Sequence, residues 1–219
     1  MVKLVDLSHS VADGKVTYPG IPAPKICDFL SREASARHYA EGVSFCINQI
    51  DMPANTGTYI DSPFHRYANG KDLARVPLES VAHLEGIVCR APSVERRVGV
   101  ELFQGIDVAR KAVLIETGWA DHWGTETYNV GHPFLTKSAA AYLRENGATL
   151  VGIDSLNIDD TDDPERPVHS ILLGADIPIV EHLCNLRSIP RSGFRFHAAP
   201  VKVNSFGTFP VRAYAAFEA

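Results

Sequence analysis

The sequence predicts a single α/β domain spanning residues 1–219. Compact apolar runs at residues 86–90 and 112–116 are typical of buried strands. Residues 136–147 carry a helix pattern and residues 149–154 carry a further strand pattern, and this strand–helix–strand order favours an α/β fold. The 219 residues contain no linker rich in Gly, Ser or Pro and no internal repeat, which favours one domain.

The helix pattern has signals at both of its ends. Thr136 provides a start signal, and Asn146 with Gly147 ends the pattern. A shorter helix is predicted over residues 76–83. Residues 18–24 are predicted to form a turn-rich loop, because proline restricts φ and lacks a backbone donor.

The remaining strands are predicted from alternation or from a high content of β-branched and apolar residues. They cover residues 2–8, 43–52, 177–186, 201–204 and 211–217. The strand within 177–186 is expected to lead into a turn or a helix. If the last two strands pair antiparallel, the sheet is mixed.

Composition and charge exclude several classes of protein. Hydrophobic residues make up 45% of the chain and charged residues 21%, as in ordinary globular domains. A formal net charge of −5 provides no basic surface for nucleic acid, and no apolar run reaches the roughly 18 residues of a membrane span. The first residues lack the apolar stretch of a secretory signal, so we expect a cytoplasmic protein. The four cysteines are scattered without a C-x-x-C pair, which argues against a thiolate zinc site.

The most informative stretch for chemistry covers residues 55–65. If residues 55–61 are extended, side chains alternate between faces, and Asn55, Tyr59 and Asp61 share one face. A turn after Pro63 would then bring His65 back towards Asp61. This pattern is also compatible with a structural role, because a hydrogen-bonded aspartate near a loop histidine is common in proteins without any catalytic site.

A second polar cluster lies far along the chain, where His169 and Glu181 flank apolar segments. A glutamate in apolar surroundings needs a cation, a metal or a proton. Together with Asp61, these residues are ligand types for Zn²⁺ or Mn²⁺; a helix cap or a salt bridge at the rim is the alternative. The acidic run at 159–163 is interpreted as a solvated loop, because it lacks the glycine and terminal glutamate of a calcium loop.

Residues 55–65 read N-T-G-T-Y-I-D-S-P-F-H, which resembles the signature H-x-G-T-H-x-D-x-P-x-H of the cyclase-like hydrolases. That family includes bacterial kynurenine formamidase and isatin hydrolase. Asn55 and Tyr59 replace both leading histidines, whereas Asp61 and His65 match. The resemblance extends over nearly the whole chain through further segments at 6–8, 18–20, 116–119, 152–156, 169–173, 181–183, 200–202 and 210–212.

The resemblance implies a fold, an assembly and an activity. The family fold is a small α/β domain with a mixed, barrel-like β-sheet flanked by helices, assembled as a homodimer or homotetramer. Its members hydrolyse amide-type C–N bonds, in an aryl formamide or a cyclic amide, with a metal that polarises the carbonyl and activates water. Carried over to this chain, Asp61, His169 and Glu181 would be metal ligands, and His65 would be the general base and acid.

The two replaced histidines change the expected metal content. In the family they help to build one metal position, and neither the amide of Asn55 nor the phenol of Tyr59 is a good zinc ligand. That position is therefore expected to be weakened or lost. The position made by Asp61, His169 and Glu181 would persist and hold one Zn²⁺ or Mn²⁺ per chain.

Three functions remain open at this point. The first is a metal-assisted amide hydrolase. The second is a metal-free lyase, isomerase or cyclase in which Tyr59 and His65 act as acid and base, with Asp61 or Glu181 orienting His65. The third is a non-catalytic protein that binds a small molecule. Asn55, with the aromatic residues Tyr18, Phe64 and Trp119, is the candidate lining of the substrate pocket; packing is the alternative role for each aromatic. His182 would point to the opposite face from Glu181 and be unavailable as a ligand.

Overall fold

The computed structural model describes residues 1–92 and 95–218. The strands among them are β1 (Val2–Asp6), β2 (Lys25–Leu30), β3 (Ile47–Asp51), β4 (Tyr59–Asp61), β5 (Leu84–Arg90), β6 (Arg97–Val98), β7 (Lys111–Glu116), β8 (Phe134–Leu135), β9 (Leu150–Ile153), β10 (Ile179–Glu181), β11 (Phe194–His197), β12 (Thr208–Pro210) and β13 (Tyr214–Glu218). The α-helices are α1 (Arg32–Ser35), α2 (Lys137–Glu145) and α3 (Pro167–Leu173). Single 3₁₀ turns cover Ala36–His38, Pro63–His65, Leu78–Ser80, Val100–Phe103, Trp119–His122, Glu126–Asn129 and Leu186–Ser188.

One curled, half-barrel sheet organises the molecule. Its strand order is β1-β13-β11-β5-β7-β9-β10-β4-β12. The central strands β5, β7, β9 and β10 are parallel, and the strands on either side pair antiparallel. The predicted α/β fold with a mixed, barrel-like sheet is confirmed. Strands β2 and β3 form a separate ribbon, and β6 pairs with β8.

The apolar runs at the centre of the sheet are buried on both faces, as a parallel arrangement requires. Leu114 on β7 faces a cluster that includes Val180 and Phe196. The neighbouring residue Ile115 faces a second cluster that includes Leu143 of α2 and Leu172 of α3. The strands predicted at 86–90, 112–116 and 149–154 are therefore confirmed, and an apolar cluster covers each face of the central strands.

Helix α2 begins and ends where its sequence signals predict. The side chain of Thr136 accepts a hydrogen bond from the backbone N–H of Ala139, which satisfies one free donor of the first turn. After the helix, Gly147 has a φ of +75°, a left-handed conformation that glycine adopts without strain. The helix buries Ala139, Ala140 and Leu143 against the sheet.

Several predicted elements are wrong or too long. The helix expected at 76–83 is only the 3₁₀ turn Leu78–Ser80, since Pro77 precedes it and His83 has a φ of +57° just before β5. The strand expected at 201–204 is irregular, and the following Ser205 donates its backbone N–H to the carboxylate of Asp72. The expected strand at 211–217 is β13, which begins only at residue 214. Strand β3 covers half of the range 43–52. The strands that lie outside every predicted range are β2, β6, β8, β11 and β12.

The stretch 55–61 is extended only at its end. Gly57 has a φ of +66°, and the regular strand β4 begins at Tyr59. Strand β10 similarly covers only residues 179–181 of the predicted range, because His182 has a φ of +57° and turns the chain. In the described parts of the chain, no helix has the length and apolarity needed to cross a membrane.

Candidate active site

The candidate site lies on three neighbouring strands at one end of the sheet. Glu181 on β10 stands opposite Tyr59 on β4, and Thr208 on β12 stands opposite Asp61. Residues that are directly opposite in an antiparallel pair project from the same face. Because Tyr59 and Asp61 are two residues apart, all four side chains share that face. The strand register therefore assembles the polar cluster from three distant parts of the chain.

His65 is held next to this cluster by the 3₁₀ turn that Pro63 begins. Its Nδ1 atom is 2.8 Å from the hydroxyl of Thr208 and 3.7 Å from Oδ1 of Asp61. The Thr208 hydroxyl donates its single proton to Oδ1 of Asp61. It can then only accept from His65, so Nδ1 carries the proton and the lone pair is on Nε2. The chain His65–Thr208–Asp61 thus selects the tautomer that has a basic Nε2.

His169 enters the cluster from helix α3. Its Nδ1 atom is 2.6 Å from Oδ2 of Asp159, which also accepts the backbone N–H of His169. Nε2 is 3.8 Å from Oδ2 of Asp61 and 3.8 Å from Oε1 of Glu181. Burial alone would lower the pKa of His169, but the contacts with Asp159, Asp61 and Glu181 outweigh it and raise the pKa to about 10. Without a metal ion this imidazole is a cation among carboxylates.

Tyr59 and Glu181 form a buried pair. The phenol donates a hydrogen bond of 2.5 Å to Oε2 of Glu181, whose Oε1 accepts the backbone N–H of Ile158 at 2.6 Å. Burial, reinforced by the charge of Glu181, raises the pKa of Tyr59 well above its ordinary value, so the phenol remains protonated. Burial also raises the pKa of Glu181 to about 7. The nearby His169 acts to lower this pKa, whereas the negative charge of Asp61 acts to raise it.

A cavity of about 330 Å³ opens onto this cluster. Its lining comprises Tyr18, Ile21, Asn55, Tyr59, His65, Arg66, Asn157, Pro164, Arg166, His169 and Glu181. Two of the four expected pocket residues, Tyr18 and Asn55, are therefore in the lining. Phe64 instead borders a shallower neighbouring depression, which Asn55 and His65 also line. Trp119 is not in the lining, and its indole N–H donates to the backbone oxygen of Tyr128.

The donor atoms fit a divalent metal ion. Oδ2 of Asp61 is buried and has no hydrogen-bond partner among the described residues, which is costly for a carboxylate oxygen. Donor atoms of Asp61, His65 and His169 lie within 4.8 Å of one another. In a tetrahedral zinc site, donor atoms are about 3.3–3.6 Å apart, close to the 3.8 Å contacts of His169. The carboxylate partner of His169, Asp159, is also typical of histidines that bind metals.

Oε1 of Glu181 is 3.8 Å from Nε2 of His169, but Glu181 lies outside the compact triad, and hydrogen bonds occupy both of its oxygens. His182 lies just beyond strand β10, where its φ of +57° turns the chain. Its Nε2 is 2.7 Å from the backbone oxygen of Leu156, and burial lowers its pKa to about 3. It is therefore a neutral, structural residue.

Sequence reasoning missed Thr208 and Asp159. Thr208 carries no local signal, because only the pairing of β12 with β4 brings it beside Asp61. The interpretation of Asp159 as part of a solvated acidic loop is wrong, since its side chain is fully buried and accepts the N–H groups of Val168 and His169. The apolar residues before it, up to Ile158, were the available signal that the acidic run begins inside the protein.

The fold and the site together define an α/β protein with a buried histidine–carboxylate centre suited to a divalent metal. The Cyclase family model matches residues 5–160, and the chain belongs to this family. It is 30% identical over 182 residues to a kynurenine formamidase of Geobacillus thermodenitrificans, covering 80% of this chain and 81% of the relative. A kynurenine formamidase of Salinibacter ruber is 27% identical over 213 residues, covering 96% of this chain and 95% of the relative.

Solved structures share the same fold. Isatin hydrolase A from Labrenzia aggregata, bound to benzyl benzoate, superimposes with a TM-score of 0.84 at 22% identity, covering 100% of this chain and 94% of that one. The predicted membership of the cyclase-like hydrolases is confirmed.

Proposed function

We propose that this protein hydrolyses an amide-type C–N bond, in an aryl formamide or a cyclic amide, with the help of one Zn²⁺ or Mn²⁺ ion. The kynurenine formamidases that it resembles support the reaction class. The observation that carries the proposal is Oδ2 of Asp61, which has no hydrogen-bond partner among the described residues and lies 3.8 Å from Nε2 of His169 beside an open cavity. A buried carboxylate oxygen in that position is best accounted for by a cation.

Each residue has a definite part in this proposal. Asp61, His169 and Glu181 would hold the ion, which supplies a polarised carbonyl and a water of lowered pKa. The free Nε2 of His65 accepts a proton from the nucleophilic water and returns it to the leaving nitrogen. Thr208 holds His65 in the required tautomer. Asn55 and Tyr18 form part of the wall that receives the substrate.

The test combines metal content with turnover. Chelator-treated and metal-reconstituted protein would be assayed with formanilide and with isatin. We expect activity only in the reconstituted protein, and loss of the ion in Asp61→Ala and His169→Ala. His65→Ala is expected to retain the ion and lose turnover. Loss of the ion from His65→Ala would instead make His65 a ligand, and activity that survives complete chelation would overturn the proposal.

A second candidate function is metal-free acid–base chemistry. It is favoured by one observation, the protonated phenol of Tyr59 in the lining of the same cavity as His65. A lyase, isomerase or cyclase could use the two groups as acid and base. Its expected signature is turnover that resists chelation and is abolished in Tyr59→Phe. A third function, binding of a small molecule without catalysis, predicts ligand binding with no turnover under either condition.

We further propose that the chain forms a homodimer or homotetramer. The ribbon β2–β3 exposes apolar side chains. A two-stranded sheet is only marginally stable by itself, so a partner subunit that covers these side chains would stabilise it. Ile26 and Ile50 pair directly across the ribbon, and both are exposed. Replacing both by Glu is expected to convert an oligomer to a monomer in light scattering. A monomeric wild-type protein would contradict this assembly.

A further inference from the structure

We propose that the substrate is an anion, and that Arg66 and Arg166 bind its carboxylate or a similar oxyanion at the wall of the cavity. This inference rests on the proposed hydrolase function, because it specifies the class of substrate for the same site. It concerns the end of the substrate that is remote from the scissile bond.

Arg166 brings a guanidinium to the cavity wall without a carboxylate partner among the described residues. Its Nη1 group donates to Oδ1 of Asn157 and to the backbone oxygen of Asp160, at 3.5 and 3.4 Å. Its Nη2 group donates to the backbone oxygen of Thr161 at 3.2 Å. All three acceptors are neutral and the bonds are long, so the positive charge is oriented but not neutralised. A guanidinium has five N–H groups, and unused donors remain for a ligand.

The acidic loop beside Arg166 does not neutralise it. Arg96 takes the carboxylate of Asp160 at 3.0 Å and approaches that of Asp162 at 3.7 Å. Oδ1 of Asp163 accepts the backbone N–H of Glu165. The loop therefore directs backbone carbonyl oxygens towards Arg166, whereas the carboxylates of Asp160 and Asp162 face Arg96.

The backbone of Arg166 is unusual as well. Its φ of +47° and ψ of +58° are left-handed, a conformation that is disfavoured for residues other than Gly, Asn and Asp. Such strain tends to be retained where it positions a functional side chain. Arg166 directly precedes α3, and with this backbone conformation it lines the same cavity as His169 of that helix.

Arg66 supplies a second positive group in the same lining. It directly follows His65, and its Nε donates to the hydroxyl of Ser170 on α3 at 3.1 Å. That bond uses one N–H and leaves both terminal nitrogens available. No carboxylate forms an ion pair with Arg66 in the described parts of the chain. Arginine forks of this kind are the preferred partners of carboxylates.

The charges along the cavity wall favour one orientation of the ligand. Glu181 is the only acidic residue in the described lining, and hydrogen bonds from Tyr59 and Ile158 engage its oxygens. Asp61 is fully buried behind the wall. An anionic substrate would therefore direct its charge to the arginines and its neutral carbonyl to His65 and the metal ligands. The volume of about 330 Å³ suits a molecule with one aromatic ring.

The test uses two matched pairs of compounds. Benzoate and benzamide have the same shape and differ in charge, and their binding is measured by calorimetry on metal-loaded and on chelator-treated protein. In both forms we expect benzoate to bind roughly tenfold or more tightly than benzamide. The chelator-treated form excludes a direct bond between the carboxylate and a metal. 2-Formamidobenzoate and 2-formamidobenzamide give the corresponding comparison of kcat/KM.

The variants are Arg66→Gln, Arg166→Gln and their combination. We expect the double variant to lose the preference for the anion in both assays. Arg110→Gln is the matched control, because Arg110 also has a left-handed backbone, with a φ of +58°, but is exposed and outside the cavity lining. It should keep the full preference.

The outcomes separate this inference from the proposed function. Equal binding of benzoate and benzamide, or a preference that survives in the double variant, would overturn the anion site even if the protein hydrolyses formamides. Absence of hydrolysis with every compound would overturn the hydrolase, while an arginine-dependent preference in the binding assay would still support the anion site.

Discussion

Tyr59 and Glu181 stand directly opposite each other on β4 and β10, and the phenol donates a hydrogen bond of 2.5 Å to the carboxylate. In the signature of the cyclase-like hydrolases the corresponding position is a histidine. A protonated phenol is a hydrogen-bond donor, whereas a neutral imidazole can coordinate a metal. The exchange therefore gives Glu181 a proton donor at a place where the family's histidine would face an ion.

This pair should contribute strongly to stability. Tyr59→Phe removes the donor. Within the part of the chain that the structure describes, Oε2 of Glu181 then keeps only a long contact, 3.5 Å, from the side-chain amide of Asn157. We expect the free energy of unfolding to fall by about 1–3 kcal/mol in urea denaturation of metal-free protein. Tyr128→Phe is the matched control: Tyr128 is equally buried, but its hydroxyl has no partner within the described chain, so its loss should be nearly neutral. Equal effects of the two changes would contradict the assigned hydrogen bond.

Restoring the family's histidines should restore a second metal position. The double variant Asn55→His, Tyr59→His adds two imidazoles to a cavity lining that already includes Glu181. We expect the zinc content after dialysis to rise from about one to about two ions per chain, because zinc favours nitrogen ligands. Each single variant should remain near one. An unchanged stoichiometry in the double variant would mean that the side-chain exchange is not what limits the metal content.

Thr208 should act as a positioning residue for His65. Thr208→Val retains the shape but removes the hydroxyl that links Nδ1 of His65 to Asp61. We expect kcat for a formamide substrate to fall roughly 10- to 100-fold with little change in KM, because a general base in the wrong tautomer cannot accept the proton. Thr208→Ser should recover most of the rate. A change in KM alone, or no recovery with serine, would argue for a purely structural role.

His9 should make the fold sensitive to acid. Its ring stacks on Trp123 at 3.8 Å, and burial lowers its pKa to about 4. In the unfolded chain the pKa is about 6.5, so between these values the unfolded state binds more protons. The contribution of neutral His9 to the free energy of unfolding is complete above pH 6.5 and is lost as the pH falls towards 4.

The variant His9→Phe preserves the stacked ring and removes the titration. In urea denaturation between pH 4 and 8, the slope of the unfolding free energy should decrease by up to about 1.4 kcal/mol per pH unit. Some slope should persist, because burial also lowers the pKa of His182. Identical slopes for wild type and variant would show that His9 titrates normally in the folded protein.

Much of the fold was predictable because its signals are local. The apolar runs of β5, β7 and β9 can only be accommodated inside a sheet, and Thr136 and Gly147 mark the ends of α2 through backbone groups within one turn. The predictions failed where distant contacts decide the conformation. The segment 201–204 has strand-forming residues but does not extend a sheet. The residues after it, Ser205 and Phe206, form hydrogen bonds with Asp72 and Leu73 in a loop instead.

For the candidate site, the sequence by itself determined which chemical groups are present: Asp61 and His65 in one motif, His169 and Glu181 far along the chain, and the two replaced histidines. Only the tertiary structure decided which of them meet. Thr208 became the partner of Asp61 and His65 through strand register, and Asp159 became buried behind His169. The reason is physical: hydrogen bonds act over about 3 Å, and residues more than a hundred positions apart come that close only after the sheet has formed.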